Sequence, residues 1–186
     1  MGRLFALILA AIALAWPLAA SADPADINAA ARGVVRVVIV GEDNGEVFPI
    51  SHGTGFAVAP NRIVTNAHVV LDARADNSLR IAIVPSDGAS AVYGRIVAFS
   101  PRNDLALVAT TENLRLPPLS FSTASDGDSG SVTAVGYPSN VDRAQGLDLE
   151  DIFASQPPVK ATGFLAGRRP TREFDTLLHT APIARG

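Results

Sequence analysis

The chain has 186 residues, of which 48% are hydrophobic and 18% charged, and its formal net charge is −3. This length suits one domain or two small halves. Because the balance is slightly acidic and no run of Lys or Arg is present, we expect no nucleic-acid partner. The chain has no cysteine, which excludes disulfides and a thiol nucleophile.

Residues 1–22 have the pattern of a signal peptide. Arg3 supplies a positive start, residues 4–18 are apolar, and Ala20-Ser21-Ala22 fits the small-x-small rule for cleavage before Asp23. The alternative is an uncleaved membrane anchor, for which the apolar run is short. We therefore expect an exported protein of the bacterial periplasm or the extracellular space, with no membrane association after cleavage.

The next part of the chain predicts short strands separated by turns. Asp26 is a candidate cap for a short helix over residues 27–32, and β-branched strands begin after Gly33. The predicted strands cover residues 34–40, 55–59, 62–65, 79–84, 93–99 and 105–109. This pattern favours an all-β fold, either a closed antiparallel barrel or a sandwich.

A second group of strands follows a connector without clear periodicity. Its members are predicted at residues 132–137, 159–165 and 176–180, with a short helix near residues 149–153 in the long loop between the first two. Three strands are too few to close a barrel.

Two short motifs carry the candidate chemistry. Thr65-Asn66-Ala67-His68-Val69-Val70 places His68 at the end of an apolar strand, and Asp104 heads the later strand Leu105-Ala106-Leu107-Val108. An imidazole suits a general base, and a partly desolvated carboxylate suits the group that orients it. Taken singly, His68 is compatible with a core histidine and Asp104 with an exposed strand start. Their order is that of a chymotrypsin-type triad.

Further motifs strengthen this interpretation. Gly53-Thr54-Gly55-Phe56 precedes the histidine motif, Gly136-Tyr137-Pro138 opens the long loop, and residues 178–186 read Leu-His-Thr-Ala-Pro-Ile-Ala-Arg-Gly. Together with the His68 and Asp104 motifs they resemble the trypsin-like serine peptidase family, most closely its bacterial HtrA/Deg-like branch. The resemblance extends from Val34 to Gly186.

The resemblance implies two antiparallel six-stranded barrels of the chymotrypsin type, the second incomplete in this chain. The first barrel would span residues 23–111, the connector 112–131 and the second barrel 132–186. His68 would be the general base, Asp104 its orienting partner, and Gly186 an oxyanion-hole residue two positions before the nucleophile serine. The substrate pocket would draw on Pro182, Ile183 and Arg185. The chain would act on proteins or peptides without a cofactor or metal, and its oligomeric state stays open.

One serine imitates the expected nucleophile. Gly127-Asp128-Ser129-Gly130 has the Gly-Asp-Ser-Gly core of the family's nucleophile loop, but Ser129 comes too soon after Asp104 for second-barrel strands to intervene. We interpret it as a polar turn before a strand. His52 is expected in a loop, and His179 in a structural position or near the substrate cleft. The chain thus lacks the expected nucleophile, and the alternative function is a catalytically inactive trypsin-like module that acts in binding.

Overall fold

The computed structural model describes residues 24–121, 129–138, 149–171 and 175–183. Its helices are α1 (Pro24–Ala31), α2 (Leu71–Ala75) and α3 (Leu149–Phe153), and a 3₁₀ turn (His68–Val70) precedes α2. The strands are β1 (Val34–Asp43), β2 (Glu46–Ala59), β3 (Arg62–Thr65), β4 (Arg80–Pro85), β5 (Val92–Ser100), β6 (Leu105–Thr110), β7 (Ser131–Gly136), β8 (Val159–Pro170) and β9 (Asp175–His179).

The first six strands form a closed barrel in the order β1-β2-β3-β6-β5-β4, with antiparallel pairing throughout. Inside it, Val35, Val37 and Ile39 of β1 pack with apolar residues of the other strands. The opposite face of β1 is also buried, because Ile152 and Phe153 of α3 cover Val38, Val40, Ala82 and Val84. Burial on both faces explains the almost continuous apolar run of β1.

Most predicted strand bounds hold to within one residue, but β1 ends at Asp43 instead of residue 40 and β8 ends at Pro170 instead of residue 165. The largest difference is in β2. That strand begins at Glu46 rather than at residue 55, and its first half pairs with the end of β1. Pro49 sits where the β1–β2 register shifts, and a proline without an N–H donor is tolerated at such a bulge. Asp26 is not a cap, because α1 already begins at Pro24 and Asp26 lies in its first turn.

The remaining strands form a three-stranded antiparallel sheet in the order β7-β8-β9, here called the second sheet. It is open among the described residues, as the strand count predicted. The described part of the connector has no regular structure before β7 begins at Ser131, and Leu114 and Leu116 are buried in the barrel core. Among the described residues no helix is long and apolar enough to cross a membrane.

Candidate active site

A cleft of about 700 Å³ separates the barrel from the second sheet. The barrel side of the cleft is formed by residues 51–54, Asn66, His68, Val69 and Asp72. The other side is formed by residues 134–138, Val159, Ala161, Pro182 and Ile183. The cleft therefore contains the candidate base His68 together with two of the three predicted pocket residues.

The position of His68 is set by apolar packing of its neighbours. The sequence had suggested that His68 ends a strand. In the structure β3 ends at Thr65, and His68 is the first residue of the 3₁₀ turn. Val70 of that turn is fully buried, and Val69 packs against Gly53, where a Cβ would lie 2.6 Å from the Val69 Cγ2 atom. Gly53 thus gives the turn room to dock on β2.

Asp104 is positioned by a tight turn before β6. Its backbone N–H donates to the Pro101 carbonyl at 3.3 Å, and its φ of +50° lies in the left-handed region, which Asp tolerates better than most residues. The turn directs the carboxylate to the His68 backbone and ring.

Three donors converge on the Asp104 carboxylate. The His68 ring atom Nδ1 lies 2.8 Å from Oδ2, and the His68 backbone N–H donates to Oδ1 at 3.0 Å. The Asn66 side-chain amide donates to Oδ2 and to the Asp104 carbonyl, both at 3.1 Å. Asn66 had no predicted role, although its place in the Thr-Asn-x-His motif was the signal that could have found it.

The electrostatics of the pair favour an ionised carboxylate. The side chains of His68 and Asp104 are 56% and 46% exposed, so Asp104 is less desolvated than the sequence had suggested. Desolvation raises the pKa of Asp104, but the hydrogen bonds from the His68 backbone and ring and from Asn66 outweigh it and leave the pKa below its ordinary value. Since an ionised carboxylate only accepts hydrogen bonds, neutral His68 carries its proton on Nδ1, and Nε2 is available as a base.

The other predicted residues divide into those in the cleft and those away from it. Pro182 and Ile183 line the cleft and are exposed, whereas Arg185 and Gly186 lie outside the described residues. His52 is not a loop residue: it lies within β2 opposite Val38 and lines the cleft. His179 ends β9 and does not line the cleft.

Ser129 is exposed and outside the cleft lining. It precedes the start of β7, whereas the cleft is lined by the second half of that strand, from Ala134 to Gly136. Ala134 lies three residues, about 10 Å, beyond the first residue of the strand. Within the described ranges, no serine hydroxyl hydrogen-bonds the His68 ring, and no group of acidic or histidine side chains could hold a metal ion.

Known proteins with similar sequences are peptidases, which agrees with a cleft that contains a histidine paired with an aspartate. The sequence model of the trypsin-like peptidase domain matches residues 53–186. Serine protease Rv3671c of Mycobacterium tuberculosis is 30% identical over 154 residues, covering 75% of this chain and 36% of the relative. The mitochondrial serine protease HTRA2 of Bos taurus is 35% identical over 116 residues, covering 60% of this chain and 24% of the relative.

The chain therefore spans about a third of the length of the mycobacterial relative and about a quarter of the bovine one. The family match covers most of the chain, including both motifs that meet at the cleft. The chain belongs to the trypsin-like serine peptidase family and is of the HtrA type.

Proposed function

We propose that this chain is the His-Asp part of an exported serine endopeptidase. The observation that carries the proposal is the 2.8 Å contact between His68 Nδ1 and Asp104 Oδ2, in a cleft that is open to a peptide. This contact leaves His68 Nε2 available on a ring that is more than half exposed. Such an arrangement suits proton transfer to and from a bound reactant.

The proposed reaction is acyl transfer. His68 Nε2 takes the proton of a serine hydroxyl as the serine oxygen attacks the peptide carbonyl, and it returns that proton to the leaving amine. Water then releases the acyl group, again with His68 as base. Asp104 keeps the Nδ1–H tautomer and stabilises the imidazolium that forms in each step. The substrates would be proteins or peptides.

The nucleophile in this proposal is a serine two residues after Gly186. Support comes from the resemblance of residues 178–186 to the segment that precedes the family's nucleophile, and from Pro182 and Ile183, which reach the cleft. The backbone N–H groups of Gly186 and of that serine would stabilise the oxyanion. One such donor contributes about 2.7–4 kcal/mol to transition-state stabilisation.

Export is part of the proposal and rests on residues 1–22 alone. Their positive start, apolar run and small-x-small site are typical of a cleaved signal peptide. We propose that the protein works in the periplasm or outside the cell. Expression in a bacterial host followed by sequencing of the mature N-terminus tests this. We expect the mature chain to begin at Asp23, and a chain that begins at Met1 or Gly2 would contradict it.

The function is tested by labelling the full-length protein with a fluorophosphonate that modifies activated serines. We expect labelling of the serine that follows Gly186, loss of labelling in His68→Ala, and unchanged labelling in Ser129→Ala. The Ser129 variant is the matched control, since its hydroxyl belongs to a similar motif outside the cleft. Labelling at Ser129, or no labelling of a folded full-length protein, would refute the proposal; the second result would favour the inactive binding module.

A further inference from the structure

Arg36 occupies an unusual place for a charged residue. It is the third residue of β1, only 1% exposed, and is among the largest fully buried side chains described. In the β1–β2 register it stands opposite Thr54, so both side chains project from the same face of the barrel. A buried cation is costly unless hydrogen bonds and neighbouring groups compensate it.

The Arg36 guanidinium contacts two parts of the chain that lie far away in the sequence. Nη1 donates to the carbonyls of Asp151 at 3.3 Å and of Ile152 at 3.0 Å, near the end of α3. The last carbonyls of a helix lack intrahelical donors and attract positive charge. The guanidinium also lies over the Tyr137 ring, 4.7 Å from its centroid.

Tyr137 is held at three points. Its backbone N–H donates to Thr54 Oγ1 at 2.9 Å, its ring lies against Arg36, and its hydroxyl donates to the Gln156 carbonyl at 2.8 Å. Because Arg36 and Thr54 are neighbours, two of these three anchors come from the barrel. Tyr137 is 3% exposed and, with Gly136 and Pro138, forms part of the cleft that also contains His68.

We propose that Arg36 is a positioning residue that holds Tyr137, and with it the second-sheet wall of the cleft, at a set distance from His68. The inference rests on the proposed function, because the position of this wall affects catalysis only if a peptide binds beside it. A planar guanidinium can stack on the ring and donate to carbonyls at the same time. A lysine keeps only the charge, and a methionine keeps only the volume.

The test compares three variants of the full-length protein, and the first readout is peptide hydrolysis. Arg36→Met removes both contacts, Arg36→Lys keeps the charge, and Arg80→Met is the matched control. Arg80 lies over the Tyr93 ring at the same 4.7 Å, on the same barrel but outside the cleft lining. We expect Arg36→Met to lower kcat/KM about tenfold, mainly through KM, because misplaced binding groups weaken the productive complex. Arg36→Lys should recover part of the loss, and Arg80→Met should stay within about twofold.

The second readout does not depend on activity. Hydrogen exchange at the Tyr137 amide, which Thr54 protects, should accelerate about tenfold in Arg36→Met and stay unchanged in Arg80→Met. If Arg36 had a merely structural role, its substitution would lower the Tm but leave kcat/KM unchanged at temperatures well below the Tm. Arg36→Lys serves both readouts if the methionine variant does not fold.

The outcomes separate the two proposals. If the wild-type protein does not hydrolyse peptides, the proposed function fails, and exchange at Tyr137 still decides whether Arg36 holds the wall. In an active enzyme, unchanged kcat/KM in both Arg36 variants would overturn the inference. The inference would also be overturned if Arg36→Met lowered kcat/KM by the same factor in a Tyr137→Leu background as in the wild type, because the effects of two residues that act through one contact are not additive.

Discussion

The substitution Asp104→Asn tests the proposed mechanism most directly, because it changes the hydrogen-bonding capacity of one side chain with little change in shape. The carboxylate accepts from His68 Nδ1 and Asn66 on Oδ2, and from the His68 backbone on Oδ1. An asparagine has one accepting oxygen and one donating NH₂. Whichever way it is turned, its NH₂ faces a donor.

The two orientations have different consequences. With the oxygen at the Oδ2 position, the base keeps its tautomer but loses the negative charge that stabilises the imidazolium. With the NH₂ there, His68 must accept on Nδ1 and carry its proton on Nε2, so it cannot act as a base. We expect kcat to fall about 10³- to 10⁴-fold, equivalent to about 4–5.5 kcal/mol in the barrier. The stability cost is about 1 kcal/mol or less, since the site is half exposed.

The assay measures kcat for a peptide substrate and the midpoint of urea unfolding for the full-length protein. Asp76→Asn is the matched control, because Asp76 also accepts a backbone and a side-chain hydrogen bond, from Ser78, and also has a lowered pKa. It lies outside the cleft lining. The control should keep kcat within about twofold. A kcat for Asp104→Asn within tenfold of wild type would refute the role of Asp104.

Three further predictions concern stability. The pKa of Asp104 is lowered in the folded state, so its ionised form stabilises the fold at pH values above the ordinary pKa of 3.8. This contribution disappears as the pH falls through the lowered pKa. In a Tm series from pH 5 to 2, the Tm of Asp104→Asn should therefore fall less steeply with acid than that of the wild type, and identical slopes would contradict this. Thr54→Val removes the acceptor of the buried Tyr137 N–H and should cost about 1–3 kcal/mol in urea unfolding, with Thr133→Val, on an exposed pair, as the control. Gly163→Ala would place a Cβ 2.1 Å from the Ala181 backbone nitrogen and should lower the Tm of the protein clearly. Gly41→Ala meets the far ends of the Phe48 and Ile50 side chains and should lower the Tm less. Equal Tm values would show that the backbone near Ala181 can shift.

The sequence predicted well those elements whose limits are local. β3 and α3 have the predicted bounds. Turn residues in the sequence flank β3, and α3 corresponds to a short helical pattern within a polar stretch. The first half of β2 was missed, because Pro49 and the polar residues after it break the alternation, and its strand conformation comes from pairing with β1. Tertiary pairing decides such segments, and a local pattern cannot show it.

The candidate site likewise contains residues that the sequence predicted and residues that it could not predict. His68 and Asp104 were found because their two motifs occur in the order of a chymotrypsin-type triad and together with the Gly53 and Gly136 motifs resemble one family, although neither motif is decisive alone. The burial of Arg36 could not be predicted, since within a run of valines a single arginine suggests a solvent-facing position. Its partners Asp151 and Ile152 lie 115 and 116 residues further along the chain. Only the packing of α3 on the barrel shows why a cation is stable there.

The base and the cleft depend on different parts of the fold. His68, Asp104 and Asn66 are all held within the barrel, by the 3₁₀ turn and the turn before β6. The opposite wall of the cleft belongs to the second sheet and the residues that follow it, and the Tyr137 N–H of this wall donates to Thr54 of β2. A change at that contact can therefore move the substrate-binding wall while the His-Asp pair stays intact. In an active enzyme of this design, KM would respond to the Thr54–Tyr137 contact and kcat to Asp104, so the two parameters can be separated by mutation.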